Sequence, residues 1–164
     1  MALLQHHVLS VALETEAETS GFGAWLAPRL QAGDAVLLSG SVGAGKTHLA
    51  RALIRARLNN PGADVPSPTF TLVQTYEASD VAIWHADLYR IRHASEVIEL
   101  GLEEVFDTTI CLVEWPDRLG TFVPADPIDI TLAEHEEGRV ATLRFAGRPA
   151  LVAGLRSDWT ARDA

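Results

Sequence analysis

Only one cysteine, Cys111, and one methionine occur among 164 residues, so no internal disulfide can form and the fold must rest on packing alone. A reducing interior, the cytoplasm, is the expected compartment. No apolar run approaches eighteen residues, which argues against a membrane-spanning helix, and no basic start followed by a long apolar stretch marks a secretory leader. Basic residues are scarce as well: thirteen Lys and Arg stand against twenty-two Asp and Glu, a formal charge of −9. Such a surface repels nucleic-acid phosphates, so independent RNA binding is not expected. The six histidines, at 6, 7, 48, 85, 93 and 135, show no metal-site spacing beyond an adjacent pair, and no zinc is assigned. Repeats, low-complexity segments and dividing linkers are missing too. Residues 1–164 therefore read as one domain, with 48% hydrophobic residues from which to build its core.

What the sequence does contain is a strand, a glycine loop and a helix in direct succession. Ala35-Val36-Leu37-Leu38-Ser39 is a short apolar run. Gly40-Ser41-Val42-Gly43-Ala44-Gly45-Lys46-Thr47 matches G-x-x-x-x-G-K-[ST], and the apolar-periodic stretch from His48 to Ile54 follows it. The glycines let consecutive backbone N–H groups turn inward around phosphate oxygens, where a β-carbon would block the approach. Lys46 reaches the β- and γ-phosphates in such a loop, and Thr47 offers a hydroxyl to Mg²⁺. The helix that opens there adds its positive dipole end and unpaired N–H groups.

The remaining chain alternates strands and helices. Val8 to Leu13 suggests a first strand, and Glu14-Thr15-Glu16 supplies a capping hydroxyl and early acids for a helix running towards Leu30. The helix after the loop ends near Leu58, ahead of the turn-forming Asn59-Asn60-Pro61-Gly62. Phe70 to Tyr76 and Val81 to Asp87 read as strands, Ser95 to Phe106 as a helix broken at Gly101, and Thr109 to Val113 as a strand delivering Glu114. Ile128 to Ala133 and Arg139 to Phe145, on either side of Glu136-Glu137-Gly138, suggest a hairpin. The pattern predicts an α/β fold with a central sheet flanked by helices.

A phosphate loop needs a carboxylate at a neighbouring strand end to hold Mg²⁺, directly or through water. Asp87 and Glu114 both sit there. Thr69 and Thr71 lie a little over twenty residues beyond Lys46, where a hydroxyl could sense a γ-phosphate, or they are simply β-forming residues of a strand. No N-K-x-D element signals guanine, so adenine is the expected base. Trp115 follows Glu114 and precedes Pro116. The proline predicts an extended backbone for Trp115, which would point the indole away from the face that carries Glu114 and brace the far side of the strand as a switch element.

Four linked stretches resemble a known family. Gly43-Ala44-Gly45-Lys46-Thr47, Ser67-Pro68-Thr69-Phe70-Thr71-Leu72-Val73, His85-x-Asp87-Leu88-Tyr89-Arg90 and Leu112-Val113-Glu114-Trp115-Pro116 are similar, in order, to those of TsaE (YjeE) proteins, the bacterial ATPases of tRNA threonylcarbamoyladenosine synthesis. The likeness spans roughly residues 14 to 145. It implies a P-loop NTPase fold and an ATPase that is weak until assembled with TsaD-like and TsaB-like proteins, meeting tRNA only through that complex. It further implies Mg²⁺ at Thr47 and Glu114, phosphates held by Gly43, Ala44, Gly45, Lys46, Thr47 and His48, and Asp87 needed for turnover. The Thr15-Glu16 region, with Glu16, and Arg139 in the Gly138-Arg139 turn would approach the nucleotide. The chain departs from the usual family pattern at Ser41, His48 and Ala86. None of these removes a catalytic group, and His48 keeps its backbone N–H.

Two other function classes share the loop. A small-molecule kinase would need an acceptor pocket and an arginine-bearing lid, for which Arg90, Arg92 and Arg118 are the available residues although no lid-like insertion is visible. A nucleotide-sensing module would bind ATP and change a partner interface without useful hydrolysis.

Overall fold

The computed structural model describes residues 3–164. Short apolar strands separated by helical segments close into a single eight-stranded sheet. The strands are β1 (His6–Leu13), β2 (Ala35–Ser39), β3 (Val73–Glu77), β4 (Ala82–Asp87), β5 (Ile110–Glu114), β6 (Ile128–His135), β7 (Gly138–Ala146) and β8 (Arg162–Asp163). Their spatial order is β3-β4-β5-β2-β6-β7-β1-β8. The four central strands β4, β5, β2 and β6 run parallel, and the outer strands add antiparallel wings.

Period-two alternation sorts the side chains of the central strands onto two faces. Val36 and Leu38 of β2 and Ile110 and Leu112 of β5 enter one core with Leu49, Leu53 and Ile54 of helix α2 (Lys46–Arg57) and Phe22 and Leu26 of helix α1 (Glu16–Leu26). Ala35, Leu37, Cys111 and Val113 face the other, with Val97 of helix α3 (Ser95–Leu100) and Leu102 of helix α4 (Leu102–Val105). Helices thus cover both faces of the parallel strands, as buried parallel strands require. The antiparallel wing is covered on one face only. Leu9, Val11, Leu13, Ala141, Leu143 and Phe145 point into the first core, while Ala12 and Arg144 on the opposite face are exposed. This is the P-loop α/β architecture expected from the sequence.

Several boundaries differ from expectation for physical reasons. Helix α1 is capped by Thr15, whose hydroxyl accepts the Glu18 N–H at 3.1 Å, but it stops at Leu26. Residues Ala27–Arg29 form a 3₁₀ turn carrying Pro28, which cannot donate to a helical ladder. The strand anticipated from Phe70 begins at Val73, because the Leu72 N–H bonds Pro68 O at 2.7 Å and Leu72 adopts φ 69°, closing a turn over Thr69 to Thr71. Cys111 is fully buried, and burial pushes its thiol up to about 11, so it stays protonated as core packing.

Beyond the hairpin, the sequence pattern gave no element. The structure adds helix α5 (Pro149–Trp159), whose Leu151, Val152 and Leu155 are buried, and β8 against β1. Trp159 of α5 meets Phe22 edge-on at 5.2 Å and Trp25 at 6.3 Å between ring centroids. A Trp159→Ala variant should lose about 2 kcal/mol or more of stability through this aromatic contact. A denaturant midpoint equal to the parent's would show that α5 is not a structural part of the core.

Candidate functional site

The parallel strands direct their carboxyl ends to one edge of the sheet, where crevices form in open α/β folds. β2 ends at Ser39 and hands the chain to the glycine loop. β4 ends on Asp87 and β5 on Glu114, which are register partners. A cleft of about 600 Å³ opens above these ends, within the range of small-molecule sites. Its walls include Glu16, Gly43, Gly45, Lys46, Thr47, His48, Thr69, Asp87, Glu114, Trp115 and Arg139. Ala44 is buried beneath the loop. Thr71 is exposed and outside the cleft, its hydroxyl accepting from Gln74 at 3.1 Å, so of the two threonines considered only Thr69 faces the site.

Backbone conformation shapes the loop. Gly40, Gly43 and Gly45 have φ of 142°, 82° and 105°, a region that L side chains rarely adopt. Gly40 is also sterically required, because a β-carbon there would lie 2.5 Å from Leu132 O. At Gly43 a β-carbon would meet nothing within 4 Å and would project into the open space above the loop. The Arg139 guanidinium reaches across from β7 to donate to Gly43 O at 3.1 Å. Gly138, one residue before, brings the hairpin close against the end of β1, since a β-carbon there would lie 2.6 Å from Glu14 Cα.

Lys46 is buried and donates to the loop's own carbonyls, Gly40 O at 2.7 Å and Ser41 O at 2.8 Å. Its ammonium lies 4.4 Å from the centroid of the Trp115 ring. Burial lowers its pKa from the ordinary lysine value, while the charges of Glu114 and Asp87 oppose that shift. Thr47 donates its hydroxyl to Glu114 Oε1 at 2.7 Å. Asp87 accepts the Tyr89 N–H at 3.0 Å and the Thr69 hydroxyl at 3.3 Å. Both carboxylates are buried.

His48 does not turn its ring to a phosphate position. Its Nε2 lies 2.7 Å from Ser20 Oγ and 3.2 Å from Glu16 O, tying α2 to α1 at the cleft wall. Glu16 takes part in that tie through its backbone carbonyl. Trp115 departs from expectation more sharply. Its backbone is left-handed, φ 59° and ψ 54°, and not extended. Its N–H still bonds Leu38 O at 3.2 Å while its carbonyl accepts from Arg118 N at 3.1 Å, so the chain must turn within one residue into the 3₁₀ segment Pro116–Leu119. The turn overrides the restriction imposed by Pro116 and brings the indole into the same cleft as Glu114, against Lys46 and 5.0 Å from the Tyr89 ring. The expected extended backbone is therefore incorrect, but the indole, while lining the cleft, also packs against the second core on the sheet face opposite Glu114. A left-handed non-glycine residue costs about 1–3 kcal/mol and tends to occur at functional sites.

The pattern reading assigned no role to His85, which is fully buried and donates from Nε2 to Glu114 Oε2 at 2.7 Å. One signal was available: a histidine two residues before Asp87 in an apolar strand must share its face. Thr15, expected near the nucleotide together with Glu16, lines the cleft, and Tyr89 and Thr19 line it without having been singled out as site residues.

The donor chemistry suits Mg²⁺, with a hydroxyl and a carboxylate in contact and a second carboxylate on the neighbouring strand, all hard oxygen. Among the described residues no group of three His, Cys, Asp or Glu could hold an ion alone, so phosphate oxygens and water would have to complete a shell.

Comparison with known proteins returns one consistent family. The family described as threonylcarbamoyl adenosine biosynthesis protein TsaE matches residues 13–141. Similar proteins of that name include one from Rickettsia felis, 36% identical over 77% of this chain and 74% of its own. Another is from Nostoc, 33% identical over 78% and 80% respectively. The crystal structure of Bacillus subtilis YdiB matches with a TM-score of 0.71 over 96% of this chain and 98% of that one, at 22% identity, and so shares the fold.

Gly40→Ala should destabilise the protein by about 2 kcal/mol or more, combining backbone strain with the clash at Leu132 O. Gly43→Ala, strained but unobstructed, should cost less. Equal thermal shifts for the two variants would contradict this distinction.

Proposed function

The chain belongs to the TsaE family, and from that membership we propose that it is the ATP-binding and ATP-hydrolysing subunit of the tRNA threonylcarbamoyladenosine machinery. The observation that carries the reading is the 2.7 Å contact between Thr47 and Glu114 at the mouth of the glycine loop, with Asp87 alongside. Two buried carboxylates facing a phosphate loop would repel a triphosphate unless a cation stood between them. Mg²⁺ bound through Thr47 and Glu114 would neutralise that repulsion and polarise the phosphates.

The chain's own groups then divide the work. Backbone N–H groups of Gly43, Ala44, Gly45, Lys46, Thr47 and His48 cradle the phosphates, assisted by the N-terminal end of α2. Lys46 exchanges its two carbonyl partners for phosphate oxygens, a trade favoured by charge. Arg139, already on Gly43 O, closes the loop from the hairpin side, and Glu16 borders the nucleotide at the start of α1. Asp87, whose carboxylate is fixed by Tyr89 N–H and Thr69, orients the attacking water or relays the phosphate state through Thr69 to the turn before β3. TsaD-like and TsaB-like partners supply the modification chemistry and stimulate turnover, and tRNA is met through them, consistent with a chain of net charge −9. No helix among the described residues is long and apolar enough to cross a membrane.

The test is ATP turnover by the full chain, alone and with TsaD-like and TsaB-like proteins, together with formation of the modified adenosine. Partner-stimulated turnover at least ~10-fold above basal is expected. Glu114→Ala should shift the Mg²⁺ requirement upward, and Asp87→Ala should lower turnover ~100-fold or more at an unchanged requirement. Partner-independent phosphorylation of an added acceptor would make the protein a kinase. ATP binding that alters partner assembly with no turnover would make it a sensor. Identical Mg²⁺ titrations for both variants would overturn the division between the two carboxylates.

A further inference from the structure

His85 sits on β4, Glu114 on the adjacent parallel β5, and the register pairs His85 with Leu112, so Glu114 is its diagonal neighbour one pleat further on. Alternation places Ile83, His85 and Asp87 on the same face of β4, facing the core beneath α2. The imidazole is wholly buried and Glu114 nearly so, at 0% and 2% side-chain exposure. An ionised carboxylate only accepts, so Nε2 carries the proton at the 2.7 Å contact. Among the described residues Nδ1 finds no partner. A buried ring with one orphaned nitrogen is a poor choice for packing, where an apolar side chain would leave no polar atom unpaired.

We propose that His85 is a positioning residue for the metal carboxylate. It pins Oε2 of Glu114 from below, and Oε1 is thereby presented at Thr47 on the cleft side. The chain of contacts is linear: imidazole N–H to Oε2, Oε1 to the threonine hydroxyl, and that hydroxyl at the first turn of α2. Without the imidazole, Oε2 would be left buried without its N–H donor, and the carboxylate would have to rotate or draw in water to satisfy itself. Either movement takes Oε1 away from the position in which it shares an ion with Thr47. His85 itself touches neither nucleotide nor ion. This inference rests on the Mg²⁺ assignment to Thr47 and Glu114 made above.

The test compares the full-length parent with His85→Leu and His85→Gln. A glutamine amide can place an N–H close to the Nε2 position, whereas leucine supplies bulk without a donor. Binding of a fluorescent N-methylanthraniloyl ATP is titrated with Mg²⁺ and, separately, measured in EDTA. The leucine variant should need at least ~10-fold more Mg²⁺ for half-maximal effect, as outer-shell ligands of metal sites typically do when removed. Its metal-free binding should stay within about twofold of the parent, and glutamine should recover most of the loss. A Mg²⁺ requirement for the leucine variant equal to the parent's overturns the proposal. So does a glutamine variant as impaired as leucine, since that would mean ring shape matters and the donor does not. If leucine prevents folding, the glutamine variant decides: a Mg²⁺ requirement within about threefold of the parent supports the donor role, and a larger shift overturns it. A parent that binds the nucleotide with no dependence on Mg²⁺ would defeat the metal assignment itself, a distinguishable failure.

Discussion

One buried carboxylate ties this structure together. Glu114 ends β5 at the centre of the sheet, accepts from the first turn of α2 through Thr47 and from β4 through His85. It therefore joins two adjacent strands to the helix that carries the phosphate loop. Burying such a group is tolerable only when both oxygens are satisfied, and the two donors fix its orientation as they satisfy it. The surrounding elements follow from the same demand: β2 must end beside β5 to bring Thr47 within reach, and the loop must turn at Gly40 tightly enough to pass Leu132.

The second constraint is at Lys46. A buried ammonium beside two carboxylates has its charge supported from several directions: the loop carbonyls, the face of Trp115 and the acids themselves. Under the proposed function, phosphate oxygens would replace the two carbonyl partners. The left-handed turn at Trp115 sets the indole between the Lys46 ammonium and the second core, so one ring borders both the cleft and the opposite face of the sheet. Trp115 also touches Tyr89, so the ring that contacts Lys46 continues into the exposed segment after β4.

Much of the fold was legible in the sequence because local and global signals agree. The β2–loop–α2 unit, the carboxylate-bearing strands β4 and β5 and the β6–β7 hairpin all combine pattern, turn chemistry and length. Phe70 to Leu72 was misread because Phe-Thr-Leu has strong strand propensity, yet the local bond from Leu72 N–H to Pro68 O closes a turn there, and the Leu72 carbonyl accepts from Asp87 N–H of β4. Trp115 was misread for the same kind of reason: the preference imposed by the following proline is local, and the sheet bond to Leu38 O together with the 3₁₀ turn outweighs it. His85 carried a legible signal, its parity with Asp87. Its partner was not legible, because which strand lies beside β4, and in what register, is decided by the whole sheet. The reach of Arg139 to Gly43 across 96 positions of sequence is likewise a product of topology.

The most direct measurement is a crystal structure of the full chain with Mn²⁺ and a non-hydrolysable ATP analogue, locating the ion by its anomalous signal. The peak should lie between Thr47 Oγ1 and Glu114 Oε1, with Lys46 moved from Gly40 O and Ser41 O to the phosphates and His85 still on Oε2. An ion out of reach of both Thr47 and Glu114, with their mutual hydrogen bond intact, would contradict the metal assignment from which the proposed chemistry follows.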